Sequence, residues 1–306
     1  MKIPPLARPG DLILIVTPSF AGETRELELG IKTLENLGFK VETSANAAGK
    51  NWGRFPANDQ NRLDDLQWAL DHPKARIVLC FRGGYGMTRI VDKLNFEGIS
   101  RFPKWVIGFS DITLLHSKLQ EVGLASLHGP MLAHFARPDH KPACLEAIDF
   151  ITGRQPFLKY VLQAVQTSSE EQSGTLRGGN LSLLSHQLGK KTHDFPENTV
   201  LFLEEVGEAY YRIDRMLWQL SRSGSLDNLS AIVLGQFTDC LSDDFPLTIP
   251  EMILEKTKVP IFSGLPAGHG VPGFPVVCGG KVTIRKEEGA WVFSQTARTI
   301  SSTPEI

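Results

Sequence analysis

The sequence predicts an α/β fold, a doubly wound parallel sheet in the N-terminal part followed by a smaller mixed α/β C-terminal unit. Three observations carry this. Short, continuously apolar runs such as Leu12–Val16 and residues 105–109 have the character of strands buried on both faces. These runs alternate with segments of helical period over roughly the first 135 residues, as strand, helix, strand units do. Glycine- or serine-bearing turns follow several of the strands, which places candidate chemistry along one sheet edge.

In chain order, Pro9-Gly10-Asp11 reads as a turn before the strand at 12–16, which ends at Thr17-Pro18-Ser19. Residues 23–37 place Leu27, Ile31 and Leu34 on one helical face, close with Gly38 and lead to a short strand at 40–43. Residues 58–70 form the next helix, with Leu63, Leu66 and Leu70 on one side. A strand at 76–81 runs into Arg82-Gly83-Gly84-Tyr85-Gly86, and a helix is expected at 88–94. The strand at 105–109 ends in Gly108-Phe109-Ser110, a serine alone on a sharp turn. Asp111 then opens a helix carrying Ile112, Leu115 and Leu119. A short run, Ala125-Ser126-Leu127-His128, precedes Gly129-Pro130.

The domains are expected at residues 1–137 and 176–306, with the proline-rich and polar stretch 138–175 crossing between them and holding one helix at 144–151. The second unit resumes at Leu176-Arg177-Gly178-Gly179-Asn180 and a helix bearing Leu181, Leu184 and Leu188. A strand at 199–203 delivers Glu204 and Glu205 to its end. A helix at 211–220, a strand at 231–235, a loop-rich stretch to Gly268-His269-Gly270 and a hairpin of 281–285 with 290–294 complete the chain.

Composition excludes several classes. With 306 residues, 42% hydrophobic and 22% charged, the chain has the profile of a globular protein, and a net charge of −2 offers no electrostatic footprint for nucleic acid or an anionic membrane. Cys80, Cys144, Cys240 and Cys278 lack paired spacing, so neither a zinc site nor a disulfide framework is indicated. No stretch approaches the roughly 20 apolar residues of a membrane span, and the 12–16 run is too short for a signal-peptide core. A cytoplasmic location is expected.

The serine turn has two readings. Its hydroxyl, at a strand end beside the first free N–H groups of a helix, suits a nucleophile whose oxyanion those groups would stabilise. A plain helix cap also fits. The loop Gly83-Gly84-Tyr85-Gly86 matches neither GxGxxG nor GxxxxGK[ST], which removes the phosphate-loop reading and leaves a tight turn or a backbone that approaches an oxyanion. Among the histidines, His116 lies six residues beyond Ser110 and points elsewhere; His72, His140 and His193 lie in polar segments expected to be exposed. His128, His134 and His186 have no distinguishing context, and His269 projects from between two glycines. Ser110, a carboxylate from the Glu204-Glu205 pair and His269 follow the order serine, acid, histidine, although the turn lacks the second glycine of GxSxG.

Five blocks, taken in order, make the reading specific: Arg82-Gly83-Gly84-Tyr85-Gly86, Gly108-Phe109-Ser110-Asp111-Ile112-Thr113, Leu203-Glu204-Glu205-Val206-Gly207-Glu208, Tyr211-Arg212-Ile213-Asp214-Arg215 and Gly268-His269-Gly270. Together they resemble the LD-carboxypeptidase family of serine peptidases over nearly the whole chain. The resemblance implies a Rossmann-like N-terminal domain and a smaller C-terminal one with the active site at their junction, and often a homodimer. It implies a catalytic triad of Ser110, Glu204 and His269, with Glu204 preferred as the first acidic residue after the strand. It also implies an oxyanion hole from the N–H of Asp111 and one in the glycine loop, Gly84 being favoured. The activity implied is metal-independent and cofactor-free: removal of the terminal D-alanine from murein tetrapeptides in peptidoglycan recycling. A relative that cleaves a peptide-nucleotide antibiotic and a noncatalytic binding protein on the same scaffold are the alternatives. Arg82, Arg89 and Arg212 are candidates for the substrate carboxylate, because a guanidinium binds a carboxylate bidentately.

Overall fold

The computed structural model describes residues 1–49, 51–167, 171–189, 195–242 and 244–297; the expectation for His193 lies outside them. The first sheet draws on β1 (Leu12–Val16), β2 (Lys40–Thr43), β3 (Ala75–Cys80), β4 (Trp105–Gly108) and β5 (Ser126–His128). Helices α1 (Thr24–Asn36), α2 (Asp59–Asp71), α3 (Glu97–Arg101) and α4 (Thr113–Glu121) lie between these strands, and α5 (Leu132–Phe135) and α6 (Lys141–Thr152) follow them. Successive strand side chains point to opposite faces, and both faces are filled. Ile13, Ile15, Ile77, Leu79 and Ile107 pack with α1, α5 and α6, while Leu14, Val16, Val78, Cys80 and Val106 pack with α2 and α4. The first five strands pair in parallel, which explains why the sequence shows unbroken apolar runs there instead of alternation.

The second sheet is a closed barrel ordered β10-β6-β13-β12-β7-β8-β9. Its members are β6 (Phe157–Gln166), β7 (Glu171–Asn180), β8 (Thr199–Val206), β9 (Leu229–Thr238), β10 (Ile261–Ser263), β12 (Lys281–Glu287) and β13 (Ala290–Thr296). Helices α7 (Leu181–His186), α8 (Tyr210–Arg222) and α9 (Ile249–Leu254) cover one side, where Leu184, Leu217 and Met252 meet Leu201 and Leu203. One strand leaves the barrel's part of the chain: β11 (Val276–Cys278) pairs antiparallel with β5 and becomes the edge of the first sheet. The architecture is mixed α/β with a mainly parallel sheet and a barrel.

Several expectations change in detail. Residues 138–175, expected as a crossing, hold α6, all of β6 and the start of β7. Their alternation Leu158, Tyr160, Leu162 is buried on one side only, with Phe157 and Val161 exposed, a weaker signal than a continuous apolar run. The helix expected at 88–94 is instead two 3-10 turns, Met87–Arg89 and Val91–Lys93, separated at Ile90, whose φ of −124° is not helical. Glu204 and Glu205 lie within β8, not beyond its end. The hairpin turns through Glu288 and Gly289, both at positive φ (50° and 87°), as a two-residue type I′ connection requires.

Candidate active site

Ser110 follows β4 in the left-handed backbone region, with φ 63°. A non-glycine residue pays about 1–2 kcal/mol to sit there, and the surroundings explain how it is held. Gly83 packs directly on it: a Cβ at Gly83 would stand 2.9 Å from the Ser110 Cβ and 3.1 Å from its Oγ. The glycine loop after β3 therefore lies against the serine because it has no side chain there. Gly84 is exposed at φ 112°, backed by the Phe20 ring.

The side chain of Asp111 ties this edge together. Its buried carboxylate accepts the Ser19 hydroxyl at 2.5 Å and the Met87 N–H at 2.8 Å, joining the loops after β1, β3 and β4 at one edge. Burial raises its pKa against the opposing pull of those two bonds. Behind the turn, His116 is a satisfied core histidine. Its Nε2–H donates to the Gly108 carbonyl at 2.8 Å and its Nδ1 accepts from Ser126 at 2.7 Å. Burial, with His128 nearby, lowers its pKa to about 3, so it stays neutral.

The barrel supplies the other groups. Glu204 is fully buried and its Oε2 lies 2.6 Å from His269 Nδ1. Gly268 permits this approach, since a Cβ there would stand 3.1 Å from both Glu204 Cβ and Oε2. A bulge in β9 fixes the loop: the β8–β9 register shifts between Leu203 and Glu205, opposite Gly235 and Gln236. Gln236 N–H donates to the Ala267 carbonyl at 2.9 Å, and Gln236 Oε1 accepts from Gly270 N–H at 3.0 Å. From the other unit, His140 donates Nδ1–H to the Pro272 carbonyl at 2.9 Å. That corrects the expectation of an exposed His140, which is 7% exposed.

Burial opposes charge on Glu204, yet His128 and His269 outweigh it and hold the carboxyl below its usual range. Burial likewise opposes protonation of His269, and the Glu204 carboxylate overcomes it, raising the imidazole above 6.5. Neighbouring Glu205 points to the opposite side of the strand and is used up structurally: it accepts from Asn180 Nδ2, Ser182 N–H, Ser182 Oγ–H and its neighbour Val206 N–H, all within 2.9 Å.

The structure thus brings Glu204 to His269, and Ser110 to the glycine loop. Phe109, the residue before the serine, connects the two groups, its ring edge-on to that of His269 at 4.9 Å between centroids. The three arginines do not converge. Arg82 donates to the Ala21 carbonyl at 3.3 Å, Arg89 clasps both Asp59 oxygens at 2.9 and 2.8 Å through Nε, and exposed Arg212 reaches Glu208 at 3.4 Å. Sequence reasoning missed the Asp111 carboxylate, Gln236 and His140, because each acts on a loop distant in the chain. Among the described residues no group of three or more His, Cys, Asp or Glu could hold a metal ion, and no helix is long and apolar enough to cross a membrane.

Two family models match the chain: the LD-carboxypeptidase N-terminal domain over residues 13–129 and the LD-carboxypeptidase C-terminal domain over 173–284. Fold and family together define a hydrolase of the serine peptidase class. A putative carboxypeptidase of Synechocystis is 34% identical over 94% of this chain and 95% of its own. The murein tetrapeptide carboxypeptidase of Pseudomonas aeruginosa is 31% identical over 84% and 88% respectively. The crystal structure of muramoyltetrapeptide carboxypeptidase from Oxalobacter formigenes superimposes with a TM-score of 0.82 at 30% identity, covering 93% of this chain and 98% of that one. The chain belongs to the LD-carboxypeptidase family. A microcin C7 self-immunity protein shares the fold, with a TM-score of 0.86 at 20% identity over 98% and 100% of the chains.

Proposed function

We propose that the protein is a cytoplasmic serine carboxypeptidase that hydrolyses the terminal L,D-amide bond of murein tetrapeptides and releases D-alanine in peptidoglycan recycling. The Glu204–His269 hydrogen bond of 2.6 Å, delivered beside the Ser110 turn by the second unit of the chain, carries this reading. The nucleophile rides on a Rossmann-like, doubly wound sheet (residues 1–137) and its base and carboxylate on the C-terminal unit (176–306). Two relatives at 31% identity bear murein-peptidase names and a muramoyltetrapeptide carboxypeptidase structure matches at 30%, whereas the microcin-immunity likeness extends only to the fold.

Since Nδ1 of His269 faces Glu204, its Nε2 is the atom that takes the Ser110 proton. Ser110 Oγ then attacks the terminal amide carbonyl, and the N–H groups of Asp111 and Gly84 hold the oxyanion. His269 next protonates the departing D-alanine nitrogen; water, deprotonated by the same imidazole, releases the acyl group from Ser110. Glu204 keeps the proton on Nδ1 in the resting state and stabilises the imidazolium. Arg82 fits the substrate carboxylate best of the three arginines, because Arg89 and Arg212 already face carboxylates, of Asp59 and Glu208.

Mass spectrometry of muropeptides incubated with the protein, with and without a chelator, tests the reading. Loss of one D-alanine mass, insensitive to chelator and abolished in a folded Ser110→Ala variant, is the expected result. Turnover that survives Ser110→Ala, or cleavage of a peptidyl-adenylate mimic in place of the tetrapeptide, would overturn it.

A further inference from the structure

The carboxylate at the centre of the site faces two histidines, and the mechanism above uses only one. Glu204 Oε2 is held by His269, but Oε1 is buried with no hydrogen-bond partner among the described residues. Opposite it, at 4.0 Å, stands Nε2 of His128. That imidazole is 1% exposed, and both of its ring nitrogens also lack a hydrogen-bond partner among the described residues. A buried, unpaired polar group costs about 1–3 kcal/mol, so the two that face each other, Glu204 Oε1 and His128 Nε2, call for a joint explanation. His128 is the last residue of β5, paired beside Gly108 on the nucleophile's own sheet, whereas Glu204 belongs to the barrel. The two orphaned groups therefore face each other across the junction of the two units.

The surroundings leave His128 little else to do. The Phe109 and Phe202 rings flank it at 5.6 and 5.0 Å, and His116, its nearest titratable neighbour on α4, already has both ring nitrogens bonded. Around the acceptor, Glu205 on the same strand is directed into α7. His134 on α5 is kept neutral by burial, with His140 beside it, and its Nδ1 accepts from Met131 N–H.

We propose that His128 is a positioning residue for the proposed hydrolysis, giving Glu204 a second imidazole partner from the opposite unit, so that the carboxylate orients His269 only while the two units are docked. With its proton on Nε2, His128 facing Oε1 across 4.0 Å draws off part of the carboxylate's charge and favours one setting of its plane. The rotation that Oε1 would otherwise have, and with it the direction of the His269 ring, is removed. The triad is then not complete in three residues, because its acid is clamped from the nucleophile's side of the junction.

The inference rests on the function proposed above, and its test separates the two. His128→Phe keeps an aromatic ring without a donor, and His128→Gln keeps a donor; thermal denaturation checks that each variant folds. The readouts are the rate at which a fluorophosphonate labels Ser110 and the NMR titration midpoint of His269, neither of which needs the natural substrate. His128→Phe is expected to slow labelling by about 10- to 100-fold, the range by which an outer hydrogen-bond partner affects a site. It is also expected to raise the His269 midpoint, since more negative charge is then left facing the imidazolium. His128→Gln is expected to recover most of both, and on substrate the loss should fall on kcat with KM little changed. Unchanged labelling and midpoint in folded His128→Phe, or a His128→Gln variant no better than His128→Phe, would overturn the inference. A wild-type protein that fails to label at all would instead overturn the functional reading, while the His269 midpoints would still decide the role of His128.

Discussion

Single side chains at this site owe their properties to their neighbours more than to their type. His269 begins from a pKa near 6.5; burial pushes it down and the Glu204 carboxylate pushes it further up. As the proposed general base it must be neutral, so kcat/KM is expected to fall, as pH drops, through an apparent pKa above 6.5. Glu204→Gln removes the charge that raises His269 and leaves the burial that lowers it. The acid limb should then move to lower pH while kcat falls by about 10⁴-fold, as when the carboxylate of a serine triad is made an amide. A pH–rate series on both proteins checks this, and an acid limb that stays in place would show that Glu204 does not govern His269. Of these residues, Ser110 and His269 could be singled out from the sequence because glycines mark their turns. The choice of Glu204 over Glu205 rested on family resemblance, since two adjacent glutamates on a strand differ only in the face they point to. His128 carried no mark at all, because what distinguishes it is an empty partner position on another strand.

Secondary-structure elements were legible in proportion to how fully they are buried. β1, β3, β4 and β8 are enclosed on both faces and read as apolar runs. β6 and the start of β7 alternate between barrel interior and exterior, and within a proline-rich stretch they read as a crossing. The bulge of β9 has no sequence signature beyond Gly235, yet it aims Gln236 at the His269 loop. β8 shows how one strand serves two ends, with Glu204 turned to the site and Glu205 fastening the start of α7. Glu205→Ala would leave Ser182 N–H and Asn180 Nδ2 without their acceptor. A loss of about 3 kcal/mol is expected, as for buried hydrogen bonds to a charged group, with turnover per folded molecule largely retained. Urea unfolding together with active-site titration separates these effects. A stable Glu205→Ala protein without activity would instead assign the acid role to Glu205.

The two units of the molecule are joined by an exchange of strands as well as by contact. β11 follows the His269 loop directly, leaves the barrel and pairs with β5, so the segment that carries His269 is stitched into the sheet that carries Ser110. Its other edge is bound by a side chain: Gln295 of β13, 2% exposed, donates Nε2–H to the Val277 carbonyl at 2.9 Å and accepts Val277 N–H at 2.8 Å. The amide thus acts as one residue of a strand partner and ties β11 to both units. Thr113 adds a second tie, its Oγ accepting Asn180 N–H at 3.1 Å, where a Cβ on Gly179 would meet that oxygen at 2.7 Å. Such long-range ties could not be read from local pattern, because a glutamine on a barrel strand resembles any other polar strand residue. Gln295→Leu keeps much of the volume and strands both Val277 groups, so a loss of about 2–4 kcal/mol is expected from two buried, unsatisfied backbone groups. Because β11 also fixes the far end of the His269 loop, serine-probe labelling of the folded variant should slow as well. If stability falls while labelling at Ser110 keeps its wild-type rate, the seam serves folding alone, and the geometry between His269 and the serine is set by Gln236 and His140 instead.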